Sequence, residues 1–589
     1  MTDGGVARPQ VSRGTGGRSL QGERDAMGGA SRGIGRPGMP ALPALTRRSY
    51  RSPRSQPGSR VPRRPERAGG AGRAPGDPGR PRPAGLTRRT ALGLLLAVLC
   101  LPLGLAAQLP RRAVRQLDSL LDAPPFNRVV WGVALEDDAG RLLFGRNAER
   151  LFIPASNTKL VVSAVASALL PPDWTVTTSV YAAGPVVDGV VQGDLVLYGR
   201  GDPTMGRRCY AADTTREEVC DRDPFSRLRL LAERLREGGV RAVAGDLVGD
   251  GSWFDAELVH PDWNGYDLTW WYAAPVSGLG FNDNSVDITW RPGPGLDAPA
   301  EITLEPDLGD LALENRTRTV AIGGVSDIGD RIYREPGTLR LWAEGTVALD
   351  HRGGTEYVAM PDPALFTARA FRRTLAEAGI AVLGTTRSTT DSMKYAHART
   401  TPLAEVASRP LRDWVFPILN TSQNWFAEML LKTLGRQFGA GGSWREGLAV
   451  ERRFLVDSIG LDSTLFALAD GSGLSAANLV APVAFTRLLR FMRGHPRRDT
   501  FLAGLPRAGD TGSLRTRFAG TPLEGRVAAK TGSIARVNTL SGYFTAASGR
   551  VYVFSIQANH HGLSGRRVIA QIDSLAVAMS RAVEGRRTR

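Results

Sequence analysis

The spacing of apolar and polar residues changes along the chain, and each change predicts a different kind of element. Two apolar runs, 129–135 and 141–144, flank the polar turn 137–140, which predicts a β-hairpin. A run of helical length, rich in Ala, Val and Leu, follows at 154–170, and Pro171-Pro172 ends it. Further helices are predicted at 425–434, 482–493 and 568–583, and strands at 526–534, 539–544 and 551–557.

Between about 180 and 398 the pattern changes to short apolar runs separated by glycine turns and aspartates, which predicts short strands. The clearest runs are 190–197, 242–247, 286–290 and 339–342. Helical segments around an antiparallel sheet predict an α/β (α+β) domain, and the β-rich block interrupts this domain as an insertion. We therefore expect the α/β domain at 108–180 and 399–589 and the insertion at 181–398.

The formal charge of +17 is distributed unevenly. Residues 1–90 carry 19 arginines and 5 acidic residues, whereas the rest of the chain is close to neutral. Because an Arg/Pro/Gly-rich stretch cannot bury enough apolar surface to fold, residues 1–86 are predicted to be a disordered leader. A basic arm that binds nucleic acid is the alternative. It would not apply to a mature protein that begins near Gln108, and we expect no nucleic-acid partner.

A secretory signal peptide is predicted at residues 87–107. Arg88 and Arg89 precede the uncharged run 91–105, and the small residues Ala106 and Ala107 follow, as in such signals. The apolar run is too short for a comfortable membrane span. We therefore expect an exported, periplasmic or otherwise extracytoplasmic protein with peripheral or no membrane association. Because a signal near residue 90 is unusual, translation is expected to start closer to it.

Export would leave Cys209 and Cys220 as the cysteines of the mature chain. Two cysteines in an oxidising compartment are expected to form a disulfide, and two free thiols are the alternative. The six histidines are scattered, and no CxxC or HExxH spacing occurs. We therefore predict no metal site and no cofactor.

Only four of the 75 basic residues are lysines: Lys159, Lys394, Lys432 and Lys530. A guanidinium cannot be deprotonated in a protein, whereas a buried ammonium can lose its proton and act as a base. Lys159 follows Ser156 by three residues, which places both side chains on one face at the start of a helix. A lysine in that position can activate the serine as a nucleophile. Taken alone, a helix cap followed by a solvated lysine is the commoner explanation.

Two further polar motifs lie in predicted regular elements. Ser422 and Asn424 begin a helix and could relay a proton and hold an amide, although capping is the stronger explanation when they are taken alone. Lys530-Thr531-Gly532-Ser533 lies in a strand, where glycine often marks the close approach of another molecule's backbone. Its lysine and hydroxyls would recognise a carboxylate, and the backbone N–H of Ser533 could form an oxyanion hole with that of Ser156. A strand-end turn is the alternative.

Together the three motifs have a more specific meaning. The order Ser-x-x-Lys, Ser-x-Asn, Lys-Thr-Gly is typical of β-lactamases and penicillin-binding proteins. The chain resembles that superfamily, and specifically its D-alanyl-D-alanine carboxypeptidase/endopeptidase group, the class C low-molecular-mass penicillin-binding proteins. The resemblance covers most of 110–585. Its longest matching stretches are 152–160, 201–204, 272–277, 282–286 and 470–475.

The resemblance implies a catalytic role for each of three residues. Ser156 would attack the D-Ala-D-Ala carbonyl to form an acyl-enzyme, and Lys159 would accept its proton. Ser422 would pass a proton toward the leaving D-alanine. The implied activity is that of a serine-type D-Ala-D-Ala carboxypeptidase or DD-endopeptidase acting on peptidoglycan stem peptides and acylated by β-lactam antibiotics.

The resemblance also implies a substrate-binding set and an arrangement of domains. Asn424 would position the peptide, and Lys530 would hold the terminal carboxylate with help from Thr531 and Ser533. Members of the group carry two β-rich domains between the first two motifs. The inner of these is expected here at about 260–375.

A β-lactamase or esterase on the same fold is the nearest alternative. A class A β-lactamase uses a glutamate to activate the deacylating water, carried four residues before an asparagine. None of the glutamates between the second and third motifs has that spacing: Glu428, Glu446, Glu451 and Glu524. Slow, inhibitory acylation by penicillin is therefore expected. The pair Glu428 and Lys432, at i and i+4 on one helix, is interpreted as a surface ion pair.

A non-catalytic cell-wall binding protein, whose inserted domains do the binding, is the alternative from another functional class. The chain retains all four ionisable or nucleophilic residues of the motifs: Ser156, Lys159, Ser422 and Lys530. Because no structural role requires all four, we expect an enzyme.

Overall fold

A computed structural model describes residues 109–208 and 223–585. The predicted leader, the predicted signal peptide and the predicted Cys209–Cys220 disulfide lie outside the described residues. The first elements are α1 (Arg111–Asp122), β1 (Val130–Glu136), β2 (Leu142–Arg146) and α2 (Lys159–Leu169). Strands β1 and β2 pair antiparallel, which confirms the predicted hairpin. Helix α2 ends two residues before Pro171, as expected from the proline pair.

The middle of the chain consists mainly of short strands, as its sequence pattern predicts. These elements are β3 (Thr177–Ala182), β4 (Val186–Val187), β5 (Val190–Val191), β6 (Leu195–Tyr198), α3 (Ser226–Glu237), β7 (Ala242–Val243), β8 (Leu247–Asp250), β9 (Ser285–Arg291), β10 (Glu301–Glu305), β11 (Ala312–Val320), β12 (Ile332–Arg334), β13 (Arg340–Ala348), β14 (Gly354–Ala359), α4 (Pro363–Glu377), β15 (Ala381–Val382), β16 (Thr386–Thr389) and β17 (Ala404–Ala407).

The remainder of the described chain returns to longer helices and strands. Its elements are α5 (Leu411–Asn420), α6 (Asn424–Phe438), α7 (Trp444–Arg453), β18 (Phe466–Ala467), β19 (Leu479–Val480), α8 (Pro482–Gly494), α9 (Arg498–Gly504), β20 (Val527–Ile534), β21 (Val537–Thr545), β22 (Val551–Asn559) and α10 (Gly565–Glu584). All three helices and all three strands predicted for this region are present, with ends that differ by a few residues.

Elements from both ends of the described chain form one antiparallel sheet of five strands, in the order β2-β1-β22-β21-β20. Its two faces pack into different cores because side chains alternate along a strand. On β22, Phe554 and Ile556 lie in a core with residues of α1 and α10. Val553, the residue before Phe554, faces the other way and lies in a core with residues of α2, α5, α6 and α8. The sheet is thus covered by helices on both sides.

The middle strands form four other sheets, with the orders β16-β8-β6-β3-β17, β15-β7-β5-β4, β10-β9-β14 and β11-β13-β12. The first two share a core with α3 and α4, and strands of the last two share another around Trp290. Strand β17 pairs with β3, so the first of these sheets includes residues on the far side of the predicted boundary at 398/399. The domain boundaries themselves stay predictions. No helix in the described ranges is long and apolar enough to cross a membrane.

Candidate active site

Ser156 lies in a short helical turn, Ala155–Thr158, that leads directly into α2. Ala155 has a φ of +47°, so the chain bends sharply just before the serine. Lys159 is the first residue of α2 and is completely buried. Its Nζ lies 3.0 Å from Ser156 Oγ and donates a hydrogen bond to it. The predicted contact between these two side chains is therefore present.

Lys159 Nζ has two further acceptors besides the serine. It donates to Asn424 Oδ1 at 2.6 Å and to the Ser472 carbonyl at 2.7 Å. Asn424 is the first residue of α6, and its Nδ2 donates to the Tyr272 carbonyl at 2.7 Å, which fixes the orientation of its amide. All three acceptors of the amine are neutral. No anion is therefore in direct contact with the amine to stabilise its charged form.

Lys530 approaches the same place from β20 and is also completely buried. Its Nζ donates to Ser422 Oγ at 2.9 Å and to the Thr531 carbonyl at 2.8 Å. Ser422 has a φ of +67° and does not cap α6. The cap is Gln423, whose side chain accepts a hydrogen bond from the N–H of Trp425. The hydroxyl of Ser422 is thus directed to the lysine, and the capping alternative for this residue is wrong.

Gly532 brings β20 against the serine turn. A Cβ built on Gly532 would lie 2.3 Å from Thr539 Oγ1 and 2.7 Å from the Pro154 carbonyl, so only glycine fits. Thr539 Oγ1 also donates to that carbonyl at 2.9 Å. Close approach was expected from another molecule's backbone, but the backbone that approaches is the chain's own. This contact holds the first and third motifs together.

The remaining predicted residues lie on the outer side of β20. Thr531 Oγ1 donates to Ser513 Oγ at 2.8 Å, and the exposed Ser533 accepts a hydrogen bond from Asn538 Nδ2 at 2.9 Å. Neither Ser513 nor Asn538 was predicted from the sequence. The backbone oxyanion hole formed by Ser156 and Ser533 stays a prediction, as do the individual roles of the site residues.

The prediction of a surface ion pair between Glu428 and Lys432 is wrong. Glu428 is completely buried and accepts hydrogen bonds from the backbone N–H groups of Ser472 at 2.7 Å and Gly471 at 3.0 Å, and from Trp444 Nε1 at 2.7 Å. Lys432 is also buried. It donates to Asp255 Oδ1 at 2.8 Å and lies 3.7 Å from the Trp444 ring centre. Each side chain therefore binds other residues, and Trp444 lies against both of them.

The loop 470–475 connects Glu428 to the site. Asp470 accepts hydrogen bonds from the N–H groups of Gly473 and Ser475, each at 2.7 Å. Gly473 has a φ of +79°, and a Cβ there would lie 1.9 Å from the Ala155 carbonyl. The loop is thus packed on the serine turn and presents its Ser472 carbonyl to Lys159. The sequence signal for this loop was its match to the family, but its contact with the lysine was not predicted.

Burial dominates the electrostatics of both lysines. It lowers the pKa of Lys159 to about 7, and the charges of Asp470 and Glu428 oppose this effect. Burial, and then the charge of Lys159, hold the pKa of Lys530 well below its ordinary value. Burial and the charge of Asp470 raise the pKa of Glu428 to about 7. The amine beside Ser156 can therefore exist as a neutral base near neutral pH.

Comparison with known proteins agrees with this geometry. The profile of the D-Ala-D-Ala carboxypeptidase 3 (S13) family matches residues 113–579. A D-alanyl-D-alanine carboxypeptidase from Actinomadura sp. (strain R39) is 32% identical over 477 residues, which cover 79% of this chain and 84% of the relative. Carboxypeptidase DacB from Mycolicibacterium smegmatis is 25% identical, with coverage of 81% and 86%.

Among solved structures, penicillin binding protein 4 (dacB) from Haemophilus influenzae superposes with a TM-score of 0.66 at 21% identity, covering 80% of this chain and 98% of that one. This match confirms the predicted α/β fold with helices around an antiparallel sheet and further β-rich sheets. The family match confirms the predicted enzyme class, a serine-type D-Ala-D-Ala carboxypeptidase. The three motifs meet at one pair of buried lysines, as the family resemblance implies. The family profile and the 32% identical relative show that the chain belongs to the D-Ala-D-Ala carboxypeptidase 3 (S13) family.

Proposed function

We propose that the chain cleaves D-Ala-D-Ala-terminated stem peptides of peptidoglycan through an acyl-enzyme on Ser156. The observation that carries this proposal is the hydrogen bond from the buried Lys159 Nζ to Ser156 Oγ, within the site that also contains Lys530. A nucleophilic hydroxyl needs an adjacent base, and an amine with a pKa of about 7 supplies one. The name of the similar D-alanyl-D-alanine carboxypeptidase supports the choice of substrate.

In the acylation step, neutral Lys159 takes the hydroxyl proton while Ser156 Oγ bonds to the carbonyl carbon of the penultimate D-alanine. The tetrahedral intermediate then collapses with cleavage of the C–N bond. The leaving D-alanine needs a proton on its amine, and Ser422 passes one to it from the Lys530 side. The contact between Lys530 Nζ and Ser422 Oγ supports this relay. The proton on Lys159 then returns to Lys530. Water adds to the ester carbonyl and one of its protons passes to Ser156 Oγ as the ester C–O bond breaks, which releases the acid and regenerates Ser156.

Substrate binding itself makes Lys159 a better base. A terminal carboxylate beside Lys530 raises the pKa of that amine, since an opposite charge stabilises the ammonium. The two lysines are close enough for the charge of one to lower the pKa of the other. A proton held by Lys530 in the complex therefore disfavours a second proton on Lys159. The substrate carboxylate thereby promotes the neutral form that acylation requires.

The remaining site residues orient the peptide. Asn424, whose amide is fixed by Tyr272 and Lys159, binds the substrate's peptide group. Thr531 and Ser533 assist Lys530 at the carboxylate, and the backbone N–H groups of Ser156 and Ser533 stabilise the oxyanion. We propose no metal and no cofactor for this reaction.

A β-lactam would acylate Ser156 in the same way and leave slowly. Penicillin binding protein 4 from H. influenzae has been seen in complex with a β-lactam. The glutamates nearest the catalytic pair, Glu428 and Glu451, are fully buried. Glu428 is occupied with the loop 470–475 and Trp444, so it does not present a deacylating water to the ester. We further propose that the protein acts outside the cytoplasm, after cleavage of the signal peptide at 87–107.

The test combines labelling with product release. Purified protein and a Ser156→Ala variant are incubated with a fluorescent penicillin and, separately, with a D-Ala-D-Ala-terminated stem peptide. We expect covalent labelling and release of free D-alanine by the wild-type protein alone. Equal labelling of both proteins would remove Ser156 from the role of nucleophile. Cross-linked peptides added as substrates distinguish carboxypeptidase from endopeptidase activity.

A further inference from the structure

Ser533 has an exposed hydroxyl at the end of the substrate-binding strand, and its hydrogen-bonding state depends on one neighbour. Asn538, directly opposite on β21, donates from Nδ2 to Ser533 Oγ at 2.9 Å. A serine hydroxyl has one hydrogen to donate. Here the Ser533 oxygen accepts a hydrogen from the Asn538 amide, so the hydroxyl's own hydrogen is not bonded to Asn538. It remains available to a group arriving from solvent.

The orientation of the Asn538 amide is in turn fixed by a buried histidine. His561 follows β22, is only 4% exposed, and lies with Nε2 3.0 Å from Asn538 Oδ1. Its Nδ1 lies 3.2 Å from the carbonyl of Leu563. An amide oxygen only accepts hydrogen bonds, so the contact with Oδ1 requires the hydrogen on Nε2. With Nε2 donating to Oδ1, the amide must present its NH2 group to Ser533.

The opposite amide orientation would have the opposite effect on Ser533. Were Oδ1 of Asn538 turned toward it, the hydroxyl would donate to that oxygen and present only lone pairs to solvent. Lone pairs repel a carboxylate, whereas a hydroxyl hydrogen bonds to it in a charge-assisted contact. The contact between His561 and Asn538 therefore decides whether Ser533 attracts or repels a carboxylate.

We propose that Asn538, held by His561, is a positioning residue that directs the Ser533 hydroxyl hydrogen toward the carboxylate of the substrate. This inference rests on the proposed function, since it takes the carboxylate to be that of a terminal D-alanine at Lys530. The directed hydroxyl and the charge of Lys530 would together select substrates that have a free C-terminal carboxylate. Asparagine is otherwise unfavourable in the interior of a strand, and Asn538 is 4% exposed there.

The main test is an isosteric change, Asn538→Asp. A carboxylate only accepts hydrogen bonds, so the Ser533 hydroxyl must donate to it. We expect KM for a D-Ala-D-Ala peptide to rise about 10- to 100-fold, the range for loss of a hydrogen bond to a charged group, with kcat within about threefold. Asn538→Leu, which removes the donor without adding charge, is expected to raise KM less.

The double variant Asn538→Asp/Ser533→Ala separates hydroxyl direction from charge repulsion. If Asn538 acts through Ser533, the double variant has the KM of Ser533→Ala alone. Asn538→Asp could instead raise KM by the same factor in the Ser533→Ala background as in the wild-type protein. That result would show repulsion by the new charge and overturn the inference.

Two substitutions of His561 test the second link. Glutamine can donate from its amide to Asn538 Oδ1, so His561→Gln is expected to keep KM near that of the wild-type protein. His561→Leu cannot donate, and KM is expected to rise as in Asn538→Leu. A matched control is Gln557→Leu, which removes another buried carboxamide, one that donates to the Val480 carbonyl. Its KM is expected to stay unchanged, and thermal unfolding of all variants identifies any general loss of stability.

Failure of this inference and failure of the proposed function are distinguishable. If the wild-type protein releases D-alanine while Asn538→Asp and His561→Leu leave KM unchanged, only the positioning role is wrong. If the wild-type protein releases no D-alanine, the proposed function is wrong, and the positioning role is wrong with it.

Discussion

The site contains two completely buried lysines whose surroundings differ. Lys159 lies beside the loop 470–475. The charges of Asp470, in that loop, and of Glu428, which binds it, raise the pKa of Lys159 against the effect of burial. Lys530 has a hydroxyl and a carbonyl as partners, and the neighbouring Lys159 lowers its pKa further. Equal burial therefore gives two different amines. Lys159 has a pKa of about 7 and is partly protonated near neutral pH, whereas the bonded partners of Lys530 are a hydroxyl and a carbonyl, neither of them charged.

This difference supports the different tasks that we propose for the two lysines. An amine with a pKa of about 7 exchanges a proton readily with a hydroxyl at 3.0 Å, which suits a general base. An amine without an anionic partner gains most from a substrate that brings one, which suits the recognition of a carboxylate. Changes that preserve charge but prevent deprotonation should therefore affect the two positions unequally.

The largest effect is expected for Lys159→Arg. Arginine keeps the positive charge but cannot be deprotonated, so the base is lost. We expect the rate of acylation by penicillin to fall about 10²- to 10⁴-fold, the usual contribution of a general base. Stopped-flow or gel measurement of fluorescent penicillin incorporation gives this rate. A loss of less than about tenfold would show that another group takes the serine proton.

An intermediate effect is expected at the other lysine. Lys530→Met removes the cation that pairs with the carboxylate, and kcat/KM for a D-Ala-D-Ala peptide should fall about 10- to 100-fold. Lys530→Arg, which keeps the charge, should recover part of this loss. Lys159→Arg, by contrast, should be no more active than Lys159→Met. Equal kcat/KM values for Lys530→Arg and Lys530→Met would contradict the proposed division of roles.

The smallest effect is expected from the acids behind Lys159. Glu428→Gln removes a negative charge that raises the pKa of Lys159, so the rise of acylation rate with pH should move to lower pH. The rate at high pH should stay within about tenfold, since Gln can still accept one of the two loop hydrogen bonds.

Glu451 provides the control for this change. It is completely buried, and burial and the charges of Glu428 and Asp470 raise its pKa well above the ordinary value. Because burial favours its neutral form, Glu451→Gln should leave the pH profile of acylation where it is in the wild-type protein. A movement of the profile in Glu451→Gln as large as in Glu428→Gln would show that the effect is not specific to the loop 470–475.

The sequence allowed a good prediction of those parts that depend on local pattern. The hairpin, the strand bearing Lys530 and the helix beginning at Lys159 follow from residue spacing. The three-residue separation of Ser156 and Lys159 predicted the contact between these two side chains. The family resemblance then brought the three motifs to one site. These predictions use either neighbours in the chain or a known arrangement of motifs.

Contacts between distant segments escaped prediction. Glu428 and Lys432 have the spacing of a surface ion pair, but Glu428 binds Gly471, 43 residues away, and Lys432 binds Asp255, 177 residues away. The pairing of β17 with β3 likewise joins strands separated by the whole middle segment. Such contacts are set by how the elements pack, and one sequence gives no periodic signal for them.

The pH dependence of acylation tests the central claim most directly, namely that a neutral Lys159 is the base. The second-order rate of penicillin acylation reports groups of the free enzyme, and it should be measured for the wild-type protein from about pH 5 to 9. Because the base must be deprotonated, we predict a rate that rises with pH and has its midpoint at about 7. A rate that stays level across this range, or falls as pH rises, would contradict the account.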